Sequence, residues 1–472
     1  MQSAVNSAGS SPSSRAGKQM NLSEPGYGRI PLRLVLPVIL ILSGCDKVAP
    51  YKSPSMQLTD KYSVVVPVQG GGYEKWWASF RDPTLDRLID QALSDNLSLA
   101  EAEWRIEEAQ SNLRRAGNSV SGNAEIEAAG TSAGSESGSV ELTALFDIFG
   151  RRAARVSAAK ARLDAERLGQ IDTRRLLLLE LASAYVDLRF FQETLAERKG
   201  DLGSRRTTLR EITKQKELQA ATELDVVRAK ALVAEIEVDM PQLGASIIEQ
   251  RNRITTLLGK PVGDLGVNLG YSGTQPHPQG LGEIGVPADL LRQRPDIQQA
   301  ERLYAAAVSD MAEANANRYP SLSLSGLIRA PFDGSGGSES LTAGLIIPVF
   351  SQGALAAEEK AAAARANQAY LQWRSAVLSA VEEVETALAS LRGSLDAVSA
   401  AQRVVSLNDK SLSLTRKLLE NRGDITVLDL LDRERTLTNS RTTRAGIQRS
   451  VALDFITLRV ALGEGIVVKI AQ

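Results

Sequence analysis

Leucine recurs at seven-residue intervals at Leu181, Leu188, Leu195, Leu202 and Leu209, and the positions 203 residues later, Val384, Leu391, Val398, Val405 and Leu412, are apolar as well. A period held over five heptads predicts packed, supercoiled helices rather than a helix lying on a surface. Neither Gly150 to about Lys216 nor Ser351 to Asn421 contains a proline. At ~1.5 Å per residue each stretch predicts a helix on the order of 100 Å long. Polar breaks at Gln219-Ala220-Ala221-Thr222-Glu223 and Asn421-Arg422-Gly423-Asp424 predict reversals. The returning helices run to Leu258 and Leu462, where Gly259 and Gly463 supply C-terminal stops. On the first return Ile236, Met240, Leu243, Ile247, Ile254 and Leu257 keep a 4/3 spacing, with a kink expected at Pro241.

Elsewhere the period drops to two. Apolar and polar residues alternate in Val140-Glu141-Leu142-Thr143-Ala144 and in Ser321-Leu322-Ser323-Leu324-Ser325, the mark of strands with one apolar and one wet face. Their expected partners are Glu125 to Ala128 and Leu341 to Leu345, across Gly/Ser-rich turns at Gly130 to Gly138 and Asp333 to Ser340. Strands are therefore predicted at about 122–130, 139–149, 321–330 and 341–350. At about ten residues each has the length that crosses a bilayer when tilted.

The whole pattern occurs twice. Ala102-Glu103 returns as Ala300-Glu301, Phe146 to Phe149 as Ile347 to Phe350, and Leu257-Leu258-Gly259-Lys260 as Ala461-Leu462-Gly463-Glu464, at offsets of 198 to 204. That distance fits an old duplication. It divides the chain into a first repeat at 76–262, a linker or equatorial segment at 263–286, a second repeat at 287–465 and a tail at 466–472. Four strands cannot close a membrane barrel, because an open edge in lipid leaves backbone groups unpaired at several kcal/mol each. Strands that span must be completed by other copies, and three copies would give a twelve-stranded barrel. The other outcome is a periplasmic coiled-coil scaffold merely capped by the hairpins.

Composition narrows the chemistry. The formal charge is −1, and without residues 1–44 it is −4, from 51 basic and 55 acidic side chains, which gives no footprint for nucleic acid. One cysteine and one histidine, His277 in a Pro-flanked loop, leave no disulfide framework or His/Cys metal site. No phosphate loop, nucleophile elbow or metal-spaced cluster is present, so neither an enzyme nor a cofactor is expected. Arg29 and Arg33 precede the apolar run Leu34 to Leu42, which ends in Leu42-Ser43-Gly44-Cys45. This order resembles a bacterial lipobox. It makes 1–44 a lipoprotein signal peptide, begun at Met1 or Met20, Cys45 the acylated first mature residue and 45–75 an extended lipid-anchored segment.

Trp76-Trp77-Ala78-Ser79-Phe80-Arg81-Asp82-Pro83-Thr84-Leu85, and Val286-Pro287-Ala288-Asp289-Leu290-Leu291-Arg292-Gln293-Arg294-Pro295-Asp296-Ile297 continuing to Tyr319-Pro320-Ser321-Leu322, resemble the NodT-type outer-membrane factor lipoproteins, a TolC-like family. The resemblance implies a mostly α fold with a membrane β-barrel. Duplicated antiparallel helical hairpins would form a periplasmic α-barrel, and four strands per protomer a trimeric 12-stranded barrel in the outer membrane. It also implies a homotrimer that contacts outer-membrane lipids and docks onto a periplasmic adaptor and an inner-membrane pump, commonly of the resistance-nodulation-division type. The function implied is an exit duct for small molecules such as drugs and toxic compounds, with a type I secretion duct of the same fold as the alternative.

Gly423 to Asp432 resembles the family's closing aperture, with Asp429 and Asp432 at its two carboxylate positions. Three residues apart on a helix they share a face, so a trimer would carry two rings of three carboxylates. The bland alternative is a pair of solvated acids near a helix N-terminus. Asp225 stands at the matching place in the first repeat. The sequence departs from the family where Gln219 replaces the turn glycine and Ile425 replaces a locking arginine, and Asp46 bears on lipoprotein sorting. Adaptor contact is expected at the tips, on Thr222, Glu223, Leu224, Gly423, Asp424 and Thr426.

Overall fold

Both proline-free stretches are single helices in the computed structural model, which describes residues 51–64, 75–129, 135–146, 148–263, 266–271, 275–280, 287–332, 336–420 and 425–465. Two shorter helices, α1 (Pro83–Asp95) and α2 (Leu97–Gly117), lead into the strands β1 (Val120–Ala129) and β2 (Ser135–Phe146). Then come α3 (Arg151–Glu217, 67 residues) and its return α4 (Glu223–Leu257, 35 residues). The second repeat has α5 (Pro295–Ala316), β3 (Ser321–Pro331), β4 (Ser338–Ile346), α6 (Gln352–Glu420, 69 residues) and α7 (Val427–Ala461, 35 residues). Leu181, Leu188 and Leu202 of the first heptad series are buried, as are Val384, Leu391 and Val405 of the second, and the others are half-buried. Helix α4 continues through Pro241. Cys45 with the leader, Gly423, Asp424 and the tail lie outside the described residues.

The strands form one antiparallel sheet in the order β1-β2-β3-β4. Its register sorts most of the side chains by polarity. Val120, Ala124 and Ile126 of β1 share a face with Val140, Leu142 and Ala144 of β2, Leu322, Leu324 and Ile328 of β3, and Leu341 and Leu345 of β4. The opposite face carries Asn123 and Glu125, Ser139, Glu141 and Thr143, Ser323 and Ser325, and Ser340 and Thr342. The sheet is therefore mainly apolar on one side and mainly polar on the other, with Glu339 on the first face and Leu145, Leu327 and Ile346 on the second.

The strand limits differ from the sequence expectation. β2 begins at Ser135 and β4 at Ser338, inside what read as turns, and they end at Phe146 and Ile346 rather than near 149 and 350. Val140 to Ala144 pairs with Val120 to Ala124 instead of Glu125 to Ala128; Glu125 faces Ser139. Alternation fixes which face a residue takes but leaves the pairing free to slide by two, and the backbone ladder extends through serine and glycine without regard to side chain. In the second hairpin the expected partners hold, with Leu322 opposite Leu345.

The main core lies where the two repeats meet. A 3-10 turn at Trp76–Phe80 and the buried face of α1 pack against Leu177–Leu188 of α3, the ends of α4 and α7, and Trp373–Leu391 of α6. Phe80 meets Phe455 edge-on at 5.6 Å. Each return helix ends on the expected glycine. Gly259 (φ 67°) and Gly463 (φ 77°) donate to Thr256 and Val460, while Lys260 and Glu464 donate to Thr255 and Arg459, a Schellman pattern at both sites. The other repeat-related partner caps these ends: Asn96 Nδ2 donates to Leu257 O at 2.8 Å, and Arg294 Nη1 to Ala461 O at 3.1 Å.

A side chain at Gly259 would meet Asp95 O, and one at Gly463 would sit 2.9 Å from Gln293 O. Positive φ alone costs an L-residue about 1–2 kcal/mol. Gly259→Ala is therefore expected to destabilise the folded chain by at least about 2 kcal/mol in thermal unfolding followed by circular dichroism. Gly203→Ala, in open space on α3, is expected to be neutral or mildly stabilising. Equal melting of both variants would contradict this account of the stops.

Candidate functional site

Below the core, packing places the helices in the order α4-α3-α7-α6. The buried stripe of α4 expected from Ile236 and Ile254 faces α3. A second stripe was missed. Leu224, Val227, Ala231, Ala234, Val238 and Pro241, then Ala245 and Ile248, repeat at 3/4 spacing, and every one is exposed. Helix α6, at the other edge, has its own: Leu418, Leu414, Ser411, Leu407, Val404 and Ala400, then Ala397 and Gly393, with Leu407 65% and Val404 49% exposed. A largely apolar heptad stripe exposed on each edge helix has the pattern of a coiled-coil seam. Its signal was present in the sequence. A helix carrying two apolar stripes simply reads as less amphipathic.

The sheet is unfinished in the same way. In the described residues β1 and β4 are each paired on one side only. Near the strand ends Phe149 stacks on Tyr319 at 5.0 Å, and Phe146 and Phe350 are exposed. Exposed aromatic rings at the end of an apolar sheet face resemble the girdles of membrane barrels.

At the tips the two repeats use one device. Thr222 is the N-cap of α4 and Thr426 the N-cap of α7. The Thr426 N–H and hydroxyl donate to Asp429 Oδ2 at 2.9 and 2.6 Å, and the Asp429 N–H returns to Thr426 Oγ1 at 3.3 Å. Thr222 and Asp225 repeat this geometry at 2.9, 2.6 and 3.2 Å. These capping boxes hold the Asp225 and Asp429 carboxyls below the usual aspartate range, chiefly through the threonine hydrogen bonds. Their contribution to the caps is thus complete above the ordinary carboxylate range and is lost only as pH falls through the lowered value. Asp432 is half-exposed and bonded to Arg435 at 3.1 Å. Val226 packs with Val427 and Leu431, so the starts of α4 and α7 adjoin. Leu224 is exposed, and Glu223 pairs with Lys216.

Gln219, where the first repeat lacks a glycine, adopts φ 61° all the same, and Ala220 N–H donates to Gln215 O at 2.8 Å. Gln219 therefore carries about 1 kcal/mol of backbone strain that a glycine there would avoid.

Sequence and fold comparisons agree with this geometry. The sequence model of the family described as outer membrane efflux protein matches residues 88–260 and 286–464, each stretch holding one strand hairpin and one long helical hairpin. Nodulation protein T of Rhizobium leguminosarum bv. trifolii is 33% identical over 454 residues, covering 90% of this chain and 96% of the relative. The pyoverdine export outer membrane protein OpmQ of Pseudomonas putida is 28% identical over 472 residues, covering 91% and 97%. Among solved structures the outer-membrane channel OprN aligns with a TM-score of 0.79 at 25% identity, covering 88% of this chain and 99% of that one.

Proposed function

Because the chain belongs to the outer membrane efflux protein family and serves as an outer-membrane exit duct, we propose that three copies close around one axis to form that duct. The observation that carries this reading is the match between the two free stripes. α4 rises from the tip and α6 descends to it, so aligning them at the tip sets Leu224 beside Leu418, Val238 beside Val404 and Ile248 beside Gly393. Large faces small or apolar faces apolar at every level. Pairing α4 of one copy with α6 of the next is head-to-tail, and such a contact repeats until the ring closes. The same rotation brings β4 of one copy beside β1 of the next. Three copies of four strands then make a twelve-stranded barrel, with the Val140 face toward lipid and the Glu141 face toward the lumen.

The remaining assignments follow the duct. Cys45 carries the acyl anchor. The tips, Thr222, Glu223, Leu224, Gly423, Asp424 and Thr426, meet a periplasmic adaptor that joins the duct to an inner-membrane pump, and the cargo is small molecules. Among the relatives, one is named for pyoverdine export and another as a cation efflux system protein. Asp429 and Asp432 ring the aperture with Asp225 behind them. A capping role and an aperture role are compatible, because the cap keeps Asp429 ionised.

Single-channel recording in planar bilayers tests both levels. The wild type is expected to give a low, cation-preferring conductance, and Asp429→Ala with Asp432→Ala a larger one with weaker preference. A wild type without channels would overturn the duct; an unchanged double variant would remove the two aspartates from the aperture.

A further inference from the structure

A glycine stands in the middle of β3, at Gly326, where nothing in the chain calls for one. It is not at positive φ, and the ladder runs through it unbroken on both sides, so it serves neither a turn nor a bulge. A Cβ added there would meet nothing within 4 Å, so it does not make room for a neighbour either. An interior glycine weakens a strand, and its remaining use is to let something outside the chain approach the backbone closely.

The register shows where that approach is made. Gly326 lies between Leu142 of β2 and Leu341 of β4 on one face, and the next row toward the hairpin turns is Val140, Ile328 and Glu339. The missing side chain leaves a groove of about 420 Å³ lined by these residues. That falls within the about 300–1,000 Å³ of sites that hold a small ligand. Leu142, Ile328 and Leu341 are each more than half exposed, so the walls are apolar and the groove opens on the face that the exit-duct reading turns to lipid.

Lipid tails are as apolar as leucine, so no hydrophobic force selects one tail at such a surface; close packing and polar contacts do. The groove supplies the packing. Glu339 supplies the polar contact. β2, β3 and β4 join the helices through Phe146, Ser321 and Ile346, whereas Glu339 is the second residue of β4 and stands near the opposite end, toward the outer leaflet. It is exposed, and its carboxylate has no partner among the described residues. A carboxylate on the lipid side of a strand is tolerated near the interface, where head groups donate hydrogen bonds to it. The outer leaflet of an outer membrane is built of acylated sugars, whose hydroxyls are such donors.

We propose that the groove over Gly326 is a lipid site. It seats one acyl chain of an outer-leaflet glycolipid against the bare backbone of β3, with Glu339 accepting hydrogen bonds from the hydroxyls of the sugar head. The chain takes the place of the side chain that Gly326 lacks and completes the apolar wall between Leu142 and Leu341. The site rests on the exit-duct reading and gives the barrel one bound lipid per protomer.

Native mass spectrometry of the full-length protein in detergent tests this with two probes, lipid A and dioleoyl phosphatidylethanolamine. The wild type is expected to retain one lipid A per chain and to hold the phospholipid roughly tenfold more weakly. Gly326→Leu gives β3 the side chain that its row neighbours already carry; it should insert as the wild type does and lose roughly tenfold in lipid A retention. Gly326→Ala, whose added atom meets open space, should lose about threefold and covers the case in which leucine hinders insertion. Glu339→Leu should keep the chain seat and hold the two probes alike. Lipid A retained equally by the wild type and the Gly326 variants, or a wild type that holds both probes alike, would overturn the site. A wild type that conducts in planar bilayers yet retains no lipid A condemns the groove alone, whereas one that neither inserts nor conducts takes the duct reading down with it.

Discussion

Val238→Asp is expected to leave the chain helical and to abolish its ring. In one copy this side chain is 75% exposed on α4, so the substitution removes no contact of the protomer. In the proposed ring it would face Val404 of the next copy across a dry seam. An ionised carboxylate buried there without a partner costs several kcal/mol, and the cost recurs at each of three seams. Far-ultraviolet circular dichroism should keep its wild-type intensity. Sedimentation in detergent should show monomers where the proposed ring requires the wild type to give trimers, and channels should vanish. A variant that still sediments as a stable trimer would place the contact between copies elsewhere.

The second large effect separates the two faces of the sheet. Val140 lies on the apolar face between Ala124 and Ile328, near the middle of β2; Thr143 lies on the polar face, its hydroxyl 2.9 Å from that of Ser325. Arginine on the lipid side of a barrel strand costs about 2–4 kcal/mol at the bilayer midplane, whereas a lumen-facing arginine stays in water. Val140→Arg should therefore remain outside the membrane fraction after urea extraction of outer membranes, with three penalties per trimer. Thr143→Arg should insert as the wild type does. The reverse outcome would turn the sheet inside out.

The helices were legible because their punctuation is local. Absence of proline set the length of α3 and α6, and Gly259 and Gly463 marked stops that the backbone needs for its own hydrogen bonds. The duplication was legible because it repeats those marks. Strand register was not: alternation tells β2 which way Leu142 points without saying which residue of β1 stands opposite. The Thr-x-x-Asp spacing at 222 and 426 is itself a local capping-box signal, and it ties each aspartate to its own helix start. The polar side-chain contacts between α3 and α7 lie beyond any local pattern, since their partners are 226 to 262 residues apart and only folding brings them together. The helix starts at Thr222 and Thr426 are legible in the sequence, whereas the exposed stripes of α4 and α6 are not, because a helix with two apolar faces hides each of them.

Cysteine cross-linking asks most directly whether neighbouring copies meet along these stripes. With Val238→Cys and Val404→Cys in one chain, mild oxidation in membranes should yield a covalent trimer on a denaturing gel, because each copy offers one thiol to either neighbour. Each substitution alone should yield monomers. Should the double variant stay monomeric under oxidation while inserted in the membrane, the head-to-tail ring would be wrong.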